Sequence, residues 1–311
     1  MLCPRMNPFN KAIALALPFI PKAIVRNVSK RYIAGATLDD AISTVRSLNS
    51  KGAMATVDVL GEFITTLDQA RENTRYCCEV LRRIHKDGLQ SNISIKLTSL
   101  GLALDGTMCE QLVREIIITA REHGNQLVRM DMENSPYTTL TIDLYRKLRK
   151  EFTNIGVVLQ SYLRRTPSDI EELLAEGSAI DIQTNVRLCK GIYTELEAIA
   201  FQKHGEVQQN YMLSLDKLLK ARAYVGIATH DEVLIDGAKK LIQKYGISNN
   251  AFEFQMLLGV RENIRDALIR DGYRLRVYVP FGEDWYGYSI RRLKENPKMA
   301  GYIVKAMFTG K

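Results

Sequence analysis

The stretch "NISIKLT", residues 92–98, carries the reading of the fold. Ile93, Ile95 and Leu97 alternate with Ser94 and Lys96, the two-residue period of a strand. A strand buried on both faces of a parallel sheet should be nearly all apolar. This one keeps a lysine on its second face, and the same parity recurs along the chain. Asp58 lies between Val57 and Val59, Arg129 and Asp131 alternate with Val128, Met130 and Met132, and Gln160 follows Leu159. Arg187 lies between Val186 and Leu188, Glu253 and Gln255 alternate with Phe252, Phe254 and Met256, and Arg276 and Tyr278 alternate with Leu275, Val277 and Val279.

These runs belong to eight strand candidates: "MATVDV" from Met54, "NISIKLT" from Asn92, "QLVRMDM" from Gln126, "IGVVLQS" from Ile155, "TNVRLCK" from Thr184, "VGIATH" from Val225, "FEFQML" from Phe252 and "LRVYVP" from Leu275. Amphipathic helical patterns separate them, clearest at 109–124, 141–152, 231–246 and 261–272. Asp, Ser or Thr marks the starts and Gly the ends. Eight such repeats predict an α/β fold, a (β/α)8 TIM barrel spanning 36–311 behind an extra N-terminal helical segment, 1–35. The apolar parity then packs on the outer helices and the polar parity points into the barrel. Buried charges are costly unless paired, and a purely structural lumen is served better by Val and Leu. A functional site at the strand ends therefore outweighs a structural ion-pair network.

The chain has 311 residues, 46% hydrophobic, with a net charge of +8 that suits acidic partners. Five cysteines, an odd number without a C-x-x-C, suggest free thiols in a reducing compartment. The four histidines do not cluster, and the pattern offers no metal site. His85, His123 and His204 each read as lying in a last helical turn before a glycine. Residues 1–38 lack Asp and Glu, carry six Lys or Arg, and enclose "AIALALPFI". That run is too short for a signal peptide or a spanning helix. It suits a peripheral membrane contact or a helix docked on the barrel. No G-x-G-x-x-G follows a strand and no P-loop occurs, which argues against a Rossmann nicotinamide site.

Past the eighth strand, "YGYSIRRLKENP" (286–297) sets Tyr288, Arg291, Arg292 and Glu295 on one helical face at the barrel rim. The plainer alternative is a solvated face with an ordinary Arg291–Glu295 pair. At a barrel mouth, paired arginines suit a carboxylate or a phosphate. Lys96 and Asp131, from neighbouring strands, read as a charge pair able to position or deprotonate an amine.

Taken together, "VDVLGE" (57–62), "SIKLTSLG" (94–101), "RMDMENS" (129–135), "LQSYLRRT" (159–166), "VRLCKGIY" (186–193), "ATHD" (228–231), "FEFQMLLG" (252–259), "YVPFG" (278–282) and "YSIRRLKENP" (288–297) resemble proline dehydrogenase, the FAD-dependent barrel family that also forms a domain of bifunctional proline-utilisation flavoproteins. The resemblance runs from about residue 35 to 305 and is carried in order by all eight strands. It implies oxidation of L-proline to 1-pyrroline-5-carboxylate, with hydride transfer to flavin N5 and electrons passed to a membrane quinone. It further implies that Arg291, Arg292 and Lys96 hold the proline carboxylate, that Tyr278, Tyr288 and Leu257 enclose its ring, and that Asp131 and Arg187 are active-site residues, Arg187 beside the flavin. Met132, Gln160, Lys190, Gly191, Ile192, Thr229 and His230 fall where the family contacts FAD. Glu295 can orient the arginines, and Glu62 can pair with Arg291 as a closing contact. Cys189 departs from a small aliphatic expected there. The implied location is cytoplasmic, peripheral on the inner face of the membrane. Rival readings are hydroxyproline oxidation by the same family, a flavin-free barrel enzyme on a phosphorylated metabolite, and a basic protein binding nucleic acid or lipid. The last leaves the charged strand parity unexplained.

Overall fold

The computed structural model describes residues 31–61, 64–286 and 289. Eight parallel strands close into a barrel in chain order: β1 (Met54–Val59), β2 (Ser91–Ile95), β3 (Val128–Met130), β4 (Ile155–Gln160), β5 (Asn185–Cys189), β6 (Tyr224–Ala228), β7 (Phe252–Leu257) and β8 (Leu275–Phe281). β8 returns to β1 with Val57 opposite Val279. Around them lie α1 (Leu38–Ser50), α2 (Leu67–Lys86), α3 (Gly106–Glu122), α4 (Ser135–Leu148), α5 (Thr166–Ala179), α6 (His204–Lys220), α7 (Glu232–Tyr245) and α8 (Glu262–Arg270).

The helix starts follow local chemistry. Thr37 and Thr66 form capping boxes with Asp40 and Gln69, and Asp105 and Asp231 accept from the first turns of α3 and α7. The outward strand parity (Val57, Ile93, Met130, Leu188, Ile227, Phe254) is fully buried beneath the helices. Burial of each such side chain contributes roughly 1.5–3 kcal/mol.

α1 packs against both β1 and β8. It lies in the outer groove between the last strand and the first. Residues just before α1 run along the end of β8: Ala34 N donates to Pro280 O at 2.9 Å and Gly282 N to Gly35 O at 3.0 Å. Ile33 is buried with Leu60 and packs on Trp285. Residues 31–35 therefore dock on the barrel; residues 1–30 lie outside the described region.

The lumen is filled by alternation of large and small. On β4 and β6 the inward positions opposite the charged strands are glycines. A Cβ at Gly156 would sit 2.3 Å from an Arg129 guanidinium nitrogen, and one at Gly226 2.5 Å from Gln255 Nε2. These strands lack the charged parity because they make room for their neighbours' long side chains.

Candidate active site

The inward residues form two joined groups. Lower in the barrel, Arg276 grips Glu253 through Nε at 2.7 Å and a second nitrogen at 3.1 Å. Tyr224 donates to the same carboxylate at 2.8 Å. Burial alone would raise the Glu253 carboxyl, but Arg276 and the hydrogen bonds from Tyr224 and Gln255 outweigh it and hold it down at about 2. Arg129 is fully buried and binds the Asn185 side chain at 2.6 Å and the carbonyls of Asn185 and Val157. It has carbonyl partners rather than a carboxylate, and burial, with Arg187 nearby, pushes it down to about 10.

Gln255 links this group to the mouth. It donates to Glu253 at 2.6 Å and accepts from Arg187 Nε at 2.5 Å. Arg187 also donates to Asp131 at 2.8 Å and Ser94 at 3.1 Å, and lies 5.3 Å from the centre of the Tyr278 ring. Tyr278 donates to the second Asp131 oxygen at 2.7 Å. Asp131 thus uses both oxygens to fix a cation and a phenol. The expected Lys96–Asp131 pair is not made: Lys96 Nζ lies 2.5 Å from Asp58. The physical reason is that Arg187 and Tyr278 reach Asp131 from across the lumen. Burial, reinforced by Asp131, raises the Asp58 carboxyl against the opposing pull of Lys96.

Above this floor opens a cavity of about 850 Å³, within the usual range for cofactor and substrate pockets of about 300–1,000 Å³. Lys96, Asp131, Met132, Gln160, Arg187, Lys190, Gly191, Ile192, Thr229, His230, Leu257 and Tyr278 all line it. They come from the ends of β2 to β8. Glu62, Tyr288, Arg291, Arg292 and Glu295 lie outside the described residues. Gln160 is buried, donates to Met132 O at 3.1 Å, and leaves its Oε1 without a hydrogen-bond partner. His230 Nε2 accepts from the Leu257 amide at 2.8 Å, which puts the proton of a neutral ring on Nδ1. Gly191 has φ +98°, and a Cβ there would lie 2.1 Å from the Tyr162 ring. The close approach that requires glycine is therefore to Tyr162. Cys189 also lines the cavity, and burial pushes its thiol up to about 11, so it stays protonated.

Three further lining residues, Glu133, His204 and Asp231, and Glu195 in the segment beside them, were not singled out from the sequence as site residues. His204 is the first residue of α6, not the end of a helix. The glycine after it lies inside the helix, which begins after a long irregular segment from Lys190. Its Nε2 lies 3.3 Å from Asp231, the cap of α7. Glu133 accepts from the Thr98 amide at 3.0 Å and its hydroxyl at 2.5 Å, holding the turn after Lys96. Glu195 accepts from Ser135 N and Oγ, both at 2.7 Å, tying the β5–α6 segment to the start of α4. Glu133 and Asp231 stood inside quoted motifs; Glu195 and His204 had no signal beyond residue type.

A closed parallel barrel with charged side chains gathered around one cavity at the C-terminal mouth defines a (β/α)8-barrel enzyme. The proline dehydrogenase family profile matches residues 41–304. The chain belongs to the proline dehydrogenase family and is an enzyme of that activity. Proline dehydrogenase 2 of Bacillus subtilis (strain 168) is 39% identical over 282 residues, covering 91% of each chain. Proline dehydrogenase of Deinococcus radiodurans is 37% identical over 290 residues, again 91% of each. A crystal structure of proline utilization A from Bdellovibrio bacteriovorus, inactivated by N-propargylglycine, matches with a TM-score of 0.82 at 25% identity. That match covers 87% of this chain and 33% of the longer protein.

Proposed function

We propose that the enzyme oxidises L-proline to 1-pyrroline-5-carboxylate with FAD, and that a membrane quinone receives the electrons. The observation that carries this reading is the convergence of Lys96, Asp131, Gln160, Arg187, Lys190, Thr229, His230, Leu257 and Tyr278 on one cavity. The residues present fit a flavin dinucleotide. Gln160 offers a buried acceptor without a partner, suited to a ring N–H. Lys190, 3.3 Å from Asp231 at the edge of the cavity, supplies positive charge for a diphosphate. When bound, FAD supplies the hydride acceptor.

The chain's own residues then do the positioning. Lys96, with Arg291 and Arg292, holds the substrate carboxylate, and Tyr278, Tyr288 and Leu257 enclose the ring and exclude water. Arg187, fixed by Asp131, Ser94 and Gln255, keeps a preorganised cation where negative charge develops. The basic, acid-free segment 1–35, whose last five residues dock on the barrel, supports peripheral contact with an anionic membrane through the residues before them; among the described residues no helix is long and apolar enough to cross one.

The test is the visible spectrum of the purified chain before and after L-proline. A flavin spectrum that proline bleaches is expected; a colourless protein, or a flavin that proline leaves oxidised, sinks the reading. For the paired arginines, Arg291→Lys and Arg292→Lys keep the charge but lose the planar fork. Each should lower kcat/KM for proline about tenfold or more, and much less for pyrrolidine, which lacks the carboxylate. Equal losses on both would show that the pair holds the fold instead.

A further inference from the structure

One end of the cavity carries three donors on a single oxygen. Lys190 Nζ and His204 Nε2 each lie 3.3 Å from Asp231 Oδ2, and Gln208 Nε2 donates to it at 2.9 Å. Asp231 Oδ1 meanwhile accepts from the Val233 amide at 3.2 Å, capping α7. Lys190, His204 and Asp231 all line the cavity. Burial would raise the Asp231 carboxyl, but Gln208, Lys190 and His204 prevail and lower it, so it is an anion at neutral pH. His204 is mostly exposed, with 68% of its side chain accessible. It is therefore held by no packing that would stop it turning to another anion. Two donors that meet on one carboxylate oxygen can also meet on one phosphate group.

We propose that His204 acts with Lys190 as a ligand of the cofactor's diphosphate, and that Asp231 competes with that diphosphate for both donors. The proposal rests on the flavin reading above. It makes Asp231 a restraint on cofactor affinity and His204 a contributor to it. His204 can donate through Nε2 whether the ring is neutral or charged. Asp231→Asn leaves the helix cap intact, since Asn caps as well as Asp, and removes only the competing charge.

The experiment measures FAD and riboflavin dissociation constants for the full chain by flavin fluorescence, with thermal melting as a fold control. His204→Leu should weaken FAD about tenfold, and His204→Arg should restore it. Asp231→Asn should tighten FAD by about threefold or more through loss of a like charge. Riboflavin, which has no phosphate, should bind all variants alike. A wild-type chain that binds no flavin takes down the flavin reading itself. A wild-type chain that binds FAD while His204→Leu binds it equally well overturns only this inference. Weaker FAD binding by Asp231→Asn would show that Asp231 positions the donors and does not compete. Equal effects on riboflavin would show that the residues hold the loop rather than the phosphate.

Discussion

The lower lumen and the mouth of this barrel are built from the same side-chain types at the same strand parity, yet they meet different surroundings. Below, Glu253, Arg276 and Tyr224 satisfy one another within hydrogen-bond distance, and Arg129 is held by carbonyls. Above, Lys96, Asp131, Arg187 and Tyr278 are equally well paired but border the cavity. Charge inside a barrel therefore does not by itself mark a site. What separates the two regions is whether a side chain has a second face left for a ligand. The lumen thus holds a sealed ion-pair network below and a paired set bordering the cavity above, with Gln255 joining them.

The sharpest way to break this comparison is to remove one charge from each level. Glu253→Gln should have the largest effect on the fold. It leaves Arg276 buried without its counter-ion, which costs about 3–5 kcal/mol, read as a lower denaturation midpoint. Proline KM should hold in the fraction that folds. The pH dependence has a definite sign. Glu253 titrates at about 2 in the fold, below the usual value of about 4.3. Its contribution is thus fully present above the unfolded value and is lost as pH falls through about 2. The variant's stability should change less over that acid window than the wild type's. A large loss of proline affinity with little loss of stability would merge the two levels into one site.

Arg187→Ala is the counterpart at the mouth. Removing one preorganised electrostatic donor costs about 3 kcal/mol of transition-state stabilisation in comparable sites. Under the flavin reading, proline-driven flavin reduction should slow on the order of a hundredfold. Arg187→Lys should recover little, because the guanidinium meets Gln255, Ser94 and Asp131 at once and an ammonium cannot span that fork. An unchanged reduction rate with unchanged flavin content would reduce Arg187 to a strut like Arg129.

Strand order and the inward parity were legible because alternation is a local signal. Met54–Val59 and Phe252–Leu257 are bounded in the fold as their runs are in the sequence. The pairing within the lumen was not. Lys96 and Asp131 look adjacent from strand order, but Lys96 turns to Asp58 on β1 while Asp131 is taken by groups from β5 and β8. Such choices depend on side-chain reach across the barrel, which no single strand encodes. His204 failed for another reason. A histidine before a glycine is a common helix ending, and only the irregular segment before it, with the run of α6 after it, shows that a helix begins there.

Glu195 tests the mouth at its weakest expected point. Asn134, the cap of α4, makes no side-chain cap, and Glu195 reaches in from the β5–α6 segment to accept from both Ser135 groups. A carboxylate at a helix N-terminus is favourable, and loss of such a cap costs about 0.5–2 kcal/mol. That segment also carries Lys190, Gly191 and Ile192 into the cavity. Glu195→Ala should therefore lower thermal stability slightly and loosen the wall on the Lys190 side. Under the flavin reading, FAD should leave the variant severalfold faster on dilution, while the rate of reduction in the flavin-loaded fraction stays near wild type. Glu195→Gln keeps an oxygen acceptor and should fall between the two. If flavin release is unchanged while stability drops, Glu195 serves α4 alone, and the β5–α6 wall belongs to the sealed region of the comparison rather than to the working one.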